Sequence, residues 1–246
     1  RHTIIGSGRV DSVNRRTTKR STLSIKERTT MTIGFIFDLD GVITDTAKFH
    51  YQAWKALADS LGIPIDETFN ETLKGISRMD SLDRILVHGH RENAFTPAEK
   101  EALAQQKNDH YVQLLEQLTT EDVLPGVVPL LQQAQARHIP CAVASASKNA
   151  PLILEKLGVR AYFATIVDPD SLSKGKPDPE IFLAAADSIG VLPQNAIGFE
   201  DAQSGIDGLK AAGIYAVGLS ASQPLIGADM QVSEMTELSV DALLNR

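Results

Sequence analysis

A single cysteine among 246 residues excludes an internal disulfide, so the fold must rest on its apolar core and not on cross-links. That residue, Cys141, lies in the apolar run "IPCAVA" and reads as a buried strand thiol, in keeping with a reducing cytoplasm. No stretch approaches the roughly 18 to 20 uninterrupted apolar residues that cross a bilayer, and no apolar signal core precedes a small-residue cleavage site. Both observations argue against a membrane protein and against Sec export. Internal repeats and low-complexity tracts are absent too, which removes solenoids and fibrous arrays. Positive charge is scarce over most of the chain. The net charge is −7, yet residues 1–30 hold eight Lys/Arg against two acids, which leaves −13 on residues 31–246. So acidic a body is a poor nucleic-acid binder. An anionic substrate must be met by a local cluster of cations or by a metal.

The first 30 residues show neither helical nor strand periodicity and are expected to be disordered. Their Arg- and Ser/Thr-rich, acid-poor composition resembles an organellar transit peptide; vector sequence or translation from an upstream start explains it as well, and a nucleic-acid-binding arm is a third reading. Met31 is expected to open the first ordered strand. Beyond it, 43% apolar content allows one substantial core and a smaller unit beside it. Apolar runs at 33–37, 140–144, 163–167, 195–199 and 214–219 read as strands and alternate with helical patterns, which predicts a parallel sheet covered by helices. Asn149, Asp178 and the segment after "FED" are expected to start helices that close on glycines. The interval 46–120 breaks the alternation. It holds helical patterns only, including "TPAEKEALAQQKNDHYVQLLEQL" with Thr96, Pro97 and Glu99 in capping-box spacing. The expected architecture is an α/β, Rossmann-like parallel-sheet core from 31–45 and 121–246, with an α-helical cap domain inserted at 46–120 over the carboxyl ends of the strands.

The segment "IGFIFDLDGVITDT" ends an apolar strand in two aspartates flanking one leucine. Side chains two apart on an extended segment point the same way, so Asp38 and Asp40 can face one ligand. Three further strand ends carry polar groups suited to the same place: "VASASKN", "KGKPDPE" and "IGFEDAQSG". Together they offer four carboxylates (Asp38, Asp40, Glu200, Asp201), the Ser145 hydroxyl and the Lys176 ammonium. Clustered carboxylates repel unless a cation joins them, and all-oxygen ligation suits a hard ion such as Mg²⁺. A carboxylate beside Mg²⁺, a lysine and a hydroxyl is arranged to accept a phosphoryl group, and Asp40 is placed to move the proton of the leaving and incoming oxygens.

These four segments, "DLDGVITDT", "SASKN", "KPDPEIF" and "FEDAQSG", resemble the haloacid dehalogenase superfamily in order and spacing over essentially residues 31–246. "LKGISRMDSL" at 73–82, with His50, Trp54 and "QKND" at 106–109, resembles the β-phosphoglucomutase branch of it. The resemblance implies that Asp38 is the nucleophile, Asp40 the general acid and base, and one Mg²⁺ per chain is held by Asp38, the Asp40 carbonyl, Glu200 and Asp201. It implies that Ser145 and Lys176 hold the transferring phosphate, because the lysine that precedes the proline is the family's; Lys174 is left as a surface charge. Arg78, Ser147, Lys148 and Asn149 resemble the distal phosphate site, and Thr46, His50, Trp54, Leu73, Lys74, Gly75, Ile76, Ser81, Lys107 and Ala146 are implied to bind the sugar. On spacing alone Thr46, His50 and Trp54 are one face of a packed helix, whereas the resemblance makes His50 a positioning group for Asp40. The implied reaction interconverts β-glucose 1-phosphate and glucose 6-phosphate, with β-glucose 1,6-bisphosphate as priming intermediate. Small sugar phosphates are the partners, without nucleic acid or membrane, in a monomer. A sugar-phosphate phosphatase shares the same core motifs, and only the cap separates the two; a receiver module and a non-catalytic binding protein fit the spacing less well.

Overall fold

The strand expected at 33–37 forms at Gly34–Phe37 (β1), and its period of two explains the two layers around it. Phe35 and Phe37 point into one apolar cluster and Ile36 into another on the opposite face of the sheet. A computed structural model describes residues 32–246; the leader expected at 1–30 and the role given to Met31 lie outside the described residues. Five more strands join β1: Cys141–Val143 (β2), Thr165–Ile166 (β3), Ala196–Glu200 (β4), Tyr215–Leu219 (β5) and Met230–Val232 (β6). All pairs are parallel, and the order is β3-β2-β1-β4-β5-β6. The sixth strand was not expected. It is three residues on the sheet edge with neither face fully buried, so it leaves no apolar run in the sequence.

Large side chains fill one face of the sheet, where Phe37 stacks on Phe199 at 4.5 Å and Phe35 meets Phe199 edge-on at 5.5 Å. The other face is lined by small residues such as Ala142 and Ala216, which let Phe182 and Leu209 of the covering helices come close. Glu180–Ser188 (α7) and Gln203–Ala211 (α8) cover that face, while Val127–Ala136 (α5), Ala150–Lys156 (α6) and Val240–Leu244 (α9) pack on the aromatic one. None of the three expected helix starts carries a side-chain cap at its N-cap residue: Asn149 precedes α6 without capping it and donates to Asn108 instead, α8 starts uncapped, and the N-cap of α7 is Pro179, with Asp178 one residue earlier accepting the Glu180 N–H at 3.0 Å.

Between β1 and β2 the described residues 46–120 form helices and no strand: Ala47–Ser60 (α1), Glu67–Glu71 (α2), Arg78–His88 (α3) and Pro97–Leu115 (α4). The capping box expected at Thr96 and Glu99 starts α4. These helices enclose a cluster of their own, with Trp54, Leu57, Leu82, Ile85 and Leu86 buried in it. The two connecting segments lie side by side: Thr44 and Val123 form an antiparallel bridge, the Leu124 N–H donates to the Ile43 carbonyl at 2.9 Å, and the Thr44 hydroxyl donates to the Asp122 carbonyl at 2.7 Å. The strand order reverses between β1 and β4, and a ligand site in an open parallel sheet belongs at the carboxyl ends of such a pair. Asp38 follows β1 and Asp201 follows β4. Among the described residues no helix is long and apolar enough to cross a membrane.

Candidate active site

Backbone pairing carries β1 one residue beyond its strand, the Asp38 N–H donating to the Phe199 carbonyl at 3.0 Å, so the first aspartate is fixed beside the end of β4. Asp38 and Glu200 are buried, and ligand oxygens of Asp38, Glu200 and Asp201 all lie within 4.8 Å of one another. Gly41 makes that approach possible. Its φ of +79° turns the chain back, and a Cβ there would stand 2.0 Å from Asp201 Oδ2. Lys176 Nζ donates to Asp38 Oδ1 at 2.8 Å and to Glu200. Burial nevertheless pushes the Asp38 and Asp201 carboxyls up and Glu200 up to about 7; the Asp40 charge adds to this at Asp38, the Asp38 charge at Glu200, and the Glu200, Asp38 and Asp40 charges at Asp201. Lys176 offsets only part of this. Three mutually repelling carboxylates in a buried place, with oxygen donors alone, are the donor set of a hard divalent ion, so these residues fit a metal. Ser145 sits next to them, buried, its Oγ accepting the Ser147 N–H at 3.1 Å and leaving the hydroxyl proton free for an anion.

Asp40 is held differently. Thr46 donates to its Oδ1, and His50 Nε2 lies 3.5 Å from its Oδ2. Burial works to raise its pKa, but these two contacts and the Lys107 charge outweigh that and hold Asp40 below the usual carboxylate range. Behind it stands a chain of buried polar groups. The Tyr111 hydroxyl donates to Thr46 Oγ1 at 3.0 Å, Lys107 Nζ reaches His50 Nδ1 at 2.9 Å, and the His50 and Tyr111 rings stack at 4.0 Å. Lys107 also lies 4.6 Å over the Trp54 ring and 4.5 Å over Tyr111. Burial, with Arg78 nearby, brings the Lys107 amine down to about 7, and burial with Lys107 lowers His50 as well. A neutral His50 that accepts from Lys107 at Nδ1 carries its proton at Nε2, facing Asp40.

Cap and core together line a cavity of about 320 Å³, within the range of small-ligand sites. Asp38, Asp40, Ser145 and Asp201 form its floor; Ala146, Ser147, Lys148 and Asn149 form one side, and Leu73, Lys74, Gly75, Ile76, Arg78 and Ser81 the cap side, with His50, Trp54 and Lys107 between them. Three expected residues stand off the wall. Lys176 and Glu200 lie beneath Asp38, and Thr46, expected to touch the sugar, is instead buried behind Asp40 with both its hydrogen bonds spent on Asp40 and Tyr111. Lys174 is exposed and pairs with Asp178 at 3.5 Å, as a surface charge should. Arg78 is half-buried and forms no ion pair among the described residues, while Lys148 pairs with Asp170 at 2.5 Å. Tyr111 was missed in the sequence, although its place four residues after Lys107 on one helix put it within reach. Asn108, Asp45 and Asn70 also line the cavity.

The sequence model of the haloacid dehalogenase-like hydrolases matches residues 34–213. The chain belongs to this family. A fellow haloacid dehalogenase-like protein, the β-phosphoglucomutase of Bacillus subtilis, is 49% identical over 208 residues, 85% of this chain and 92% of that protein. A phosphorylated carbohydrates phosphatase of Thermotoga maritima is 30% identical over 73% of this chain and 81% of its own length. The crystal structure of β-phosphoglucomutase from Clostridium difficile superposes with a TM-score of 0.85 at 45% identity, covering 87% of this chain and 96% of that one. In this haloacid dehalogenase-like fold the arrangement sets a buried carboxylate, Asp38, among oxygen donors that fit a metal, beside a second carboxylate, Asp40, held low by its own hydrogen bonds.

Proposed function

We propose that this chain is a phosphoglucomutase that interconverts β-D-glucose 1-phosphate and D-glucose 6-phosphate through an aspartyl phosphate on Asp38 and β-glucose 1,6-bisphosphate as priming intermediate. One observation carries it: a single cavity has an acidic, metal-fitted floor at Asp38 and, on its walls, the half-buried guanidinium of Arg78 with Ser147, Lys148 and Asn149. A phosphatase needs only the first. A mutase must hold a bisphosphate by one phosphate while the other reacts, and the guanidinium fork suits that task. The 49% identity to the Bacillus enzyme supports the same reading.

An Asp38 oxygen attacks phosphorus, the bond from phosphorus to the sugar oxygen breaks, and Asp40 gives that oxygen its proton; in the second half Asp40 takes the proton of the incoming sugar hydroxyl as the phosphoryl group leaves Asp38. Asp38, the Asp40 carbonyl, Glu200 and Asp201 would hold one Mg²⁺, which when bound neutralises charge on the transferring group. Ser145 on the floor steadies that group directly, and Lys176, expected to do the same, supports it from beneath through Asp38 and Glu200. Leu73, Lys74, Gly75, Ile76, Ser81, Trp54, Lys107 and Ala146 shape the sugar site, and His50 and Thr46 act through Asp40. Because both Asp40 oxygens are engaged by Thr46 and His50, proton transfer needs them released, which ties chemistry to the cap and shields the aspartyl phosphate from water. The cap is taken as 46–120 and the core as 31–45 with 121–246, in a cytoplasmic monomer.

Phosphorus NMR with β-glucose 1-phosphate, Mg²⁺ and a trace of the bisphosphate tests this. Signal moving to glucose 6-phosphate with little inorganic phosphate is expected. Inorganic phosphate as the main product would make the protein a sugar-phosphate phosphatase with the same core chemistry.

A further inference from the structure

Ser204, in the first turn of α8, has a side-chain oxygen that is buried and without a hydrogen-bond partner. No other buried side-chain polar atom among the described residues is in that position. Leaving a hydroxyl in this state is unfavourable, and an alanine would fill the same space without the penalty. The oxygen faces the cap: a Cβ built on Gly75 would come within 2.9 Å of it. Gly75 has a φ of +73°, lines the cavity between Lys74 and Ile76, and lies two residues before Ser77, the N-cap of α3. Gly75 ends the turn at 72–75 that leads into α3, and neither it nor Ile76 belongs to a helix or strand. An unpaired hydroxyl on the helix that follows the acidic residues thus stands against the backbone of a cap loop.

We propose that Ser204 is a positioning residue for phosphoryl transfer: with substrate in the cavity its hydroxyl bonds the backbone of the Gly75–Ile76 segment and holds this sugar-lining loop down over Asp38. The inference rests on the phosphomutase reading above. Leu73, Lys74 and Ile76 travel with the loop, and Lys74 is already attracted by Asp201 across the same seam. Holding the loop down excludes water from the aspartyl phosphate, so the hydroxyl favours transfer to sugar over hydrolysis.

The test compares the full chain with Ser204→Ala and Ser204→Thr by phosphorus NMR on β-glucose 1-phosphate with Mg²⁺ and bisphosphate, scoring glucose 6-phosphate against inorganic phosphate. Hydrolysis of p-nitrophenyl phosphate and thermal stability are read in parallel. Ser204→Ala is expected to lower the transfer-to-hydrolysis ratio about five-fold, equivalent to about 1 kcal/mol, with Ser204→Thr restoring part of it and p-nitrophenyl phosphate turnover unchanged. A rise in melting temperature with the ratio untouched would reduce the hydroxyl to a buried defect and overturn the proposal. If the wild type itself yields only inorganic phosphate, the phosphomutase reading fails first.

Discussion

Lys176 is the protein's own counterion for carboxylates that also fit a metal, and Lys176→Met separates the two functions. The substitution keeps the apolar stem and removes the ammonium that donates to Asp38 at 2.8 Å and to Glu200. Removing one partner of a buried, hydrogen-bonded ion pair typically costs about 3–5 kcal/mol, because the other charge stays buried. For a chain of this size about 2–4 °C accompanies each kcal/mol, so the metal-free variant should melt roughly 6–20 °C below the metal-free wild type. Mg²⁺ among Asp38, Glu200 and Asp201, whose oxygens lie within 4.8 Å of one another, supplies the missing positive charge. The gap should therefore shrink to less than half in saturating Mg²⁺. Differential scanning fluorimetry of both proteins with EDTA and with Mg²⁺ measures it. Equal gaps in the two conditions would refute the reasoning, since lysine and metal would then not be serving the same carboxylates.

Asp40→Asn should lower mutase turnover roughly 10²- to 10⁴-fold without loss of fold, measured by steady-state kinetics and circular dichroism; full activity would remove Asp40 from proton transfer. Arg78→Ala should reduce mutase turnover far more than hydrolysis of a small phosphomonoester, and equal losses would argue against a distal phosphate site. Lys107, faced by His50, Trp54, Tyr111, Arg78 and Asp40, has its amine pushed from 10.5 down to about 7 in the folded chain. The unfolded chain binds a proton that the folded chain refuses between those values, so the penalty is absent above pH 10.5 and grows as pH falls to about 7, to a ceiling of roughly 5 kcal/mol. Lys107→Met should therefore raise the melting temperature relative to wild type more at pH 7 than at pH 9.5 while impairing turnover; a gap that does not change with pH would contradict the buried neutral amine.

The acidic floor was legible because its residues stand at strand ends, where a period of two and an apolar run fix both direction and depth. "GFIF" followed by Asp38, and "AIGFE" followed by Asp201, are enough to bring two carboxylates to one edge once the sheet is parallel. The helical insertion was legible from its period and from the capping box at Thr96. The interior of the seam was not. Thr46, Tyr111, His50 and Lys107 lie 65 or fewer residues apart on two helices whose crossing no periodicity specifies, so the sequence marks Thr46 as a cavity residue when packing has turned it to Asp40 and Tyr111. Asn149 shows the same limit: its position is that of a helix cap, but Asn108 across the seam takes its side chain at 2.9 Å. The edge strand β6 escaped because its pairing to β5 comes from backbone hydrogen bonds, which need no apolar side chains.

The buried ionisable groups divide into two sets with opposite needs, and this division explains why cap and core can act in sequence. Asp38, Glu200 and Asp201 are pushed toward the neutral form by burial and by neighbouring carboxylates, Asp40 among them, and positive charge relieves them. Lys107 is likewise pushed toward neutrality, by burial and by Arg78, and negative charge relieves it. A dianionic phosphate entering between Arg78 and Asp38 brings negative charge to the cap set, while the metal brings positive charge to the floor. Each ligand thus stabilises the unfavourable term on its own side of the cavity. Lys107 reaches His50 Nδ1 at 2.9 Å and His50 Nε2 stands 3.5 Å from Asp40, so the cap set holds Asp40 as a carboxylate. An anion that draws Lys107 toward itself would loosen that line of contacts, which is the release that proton transfer at Asp40 requires.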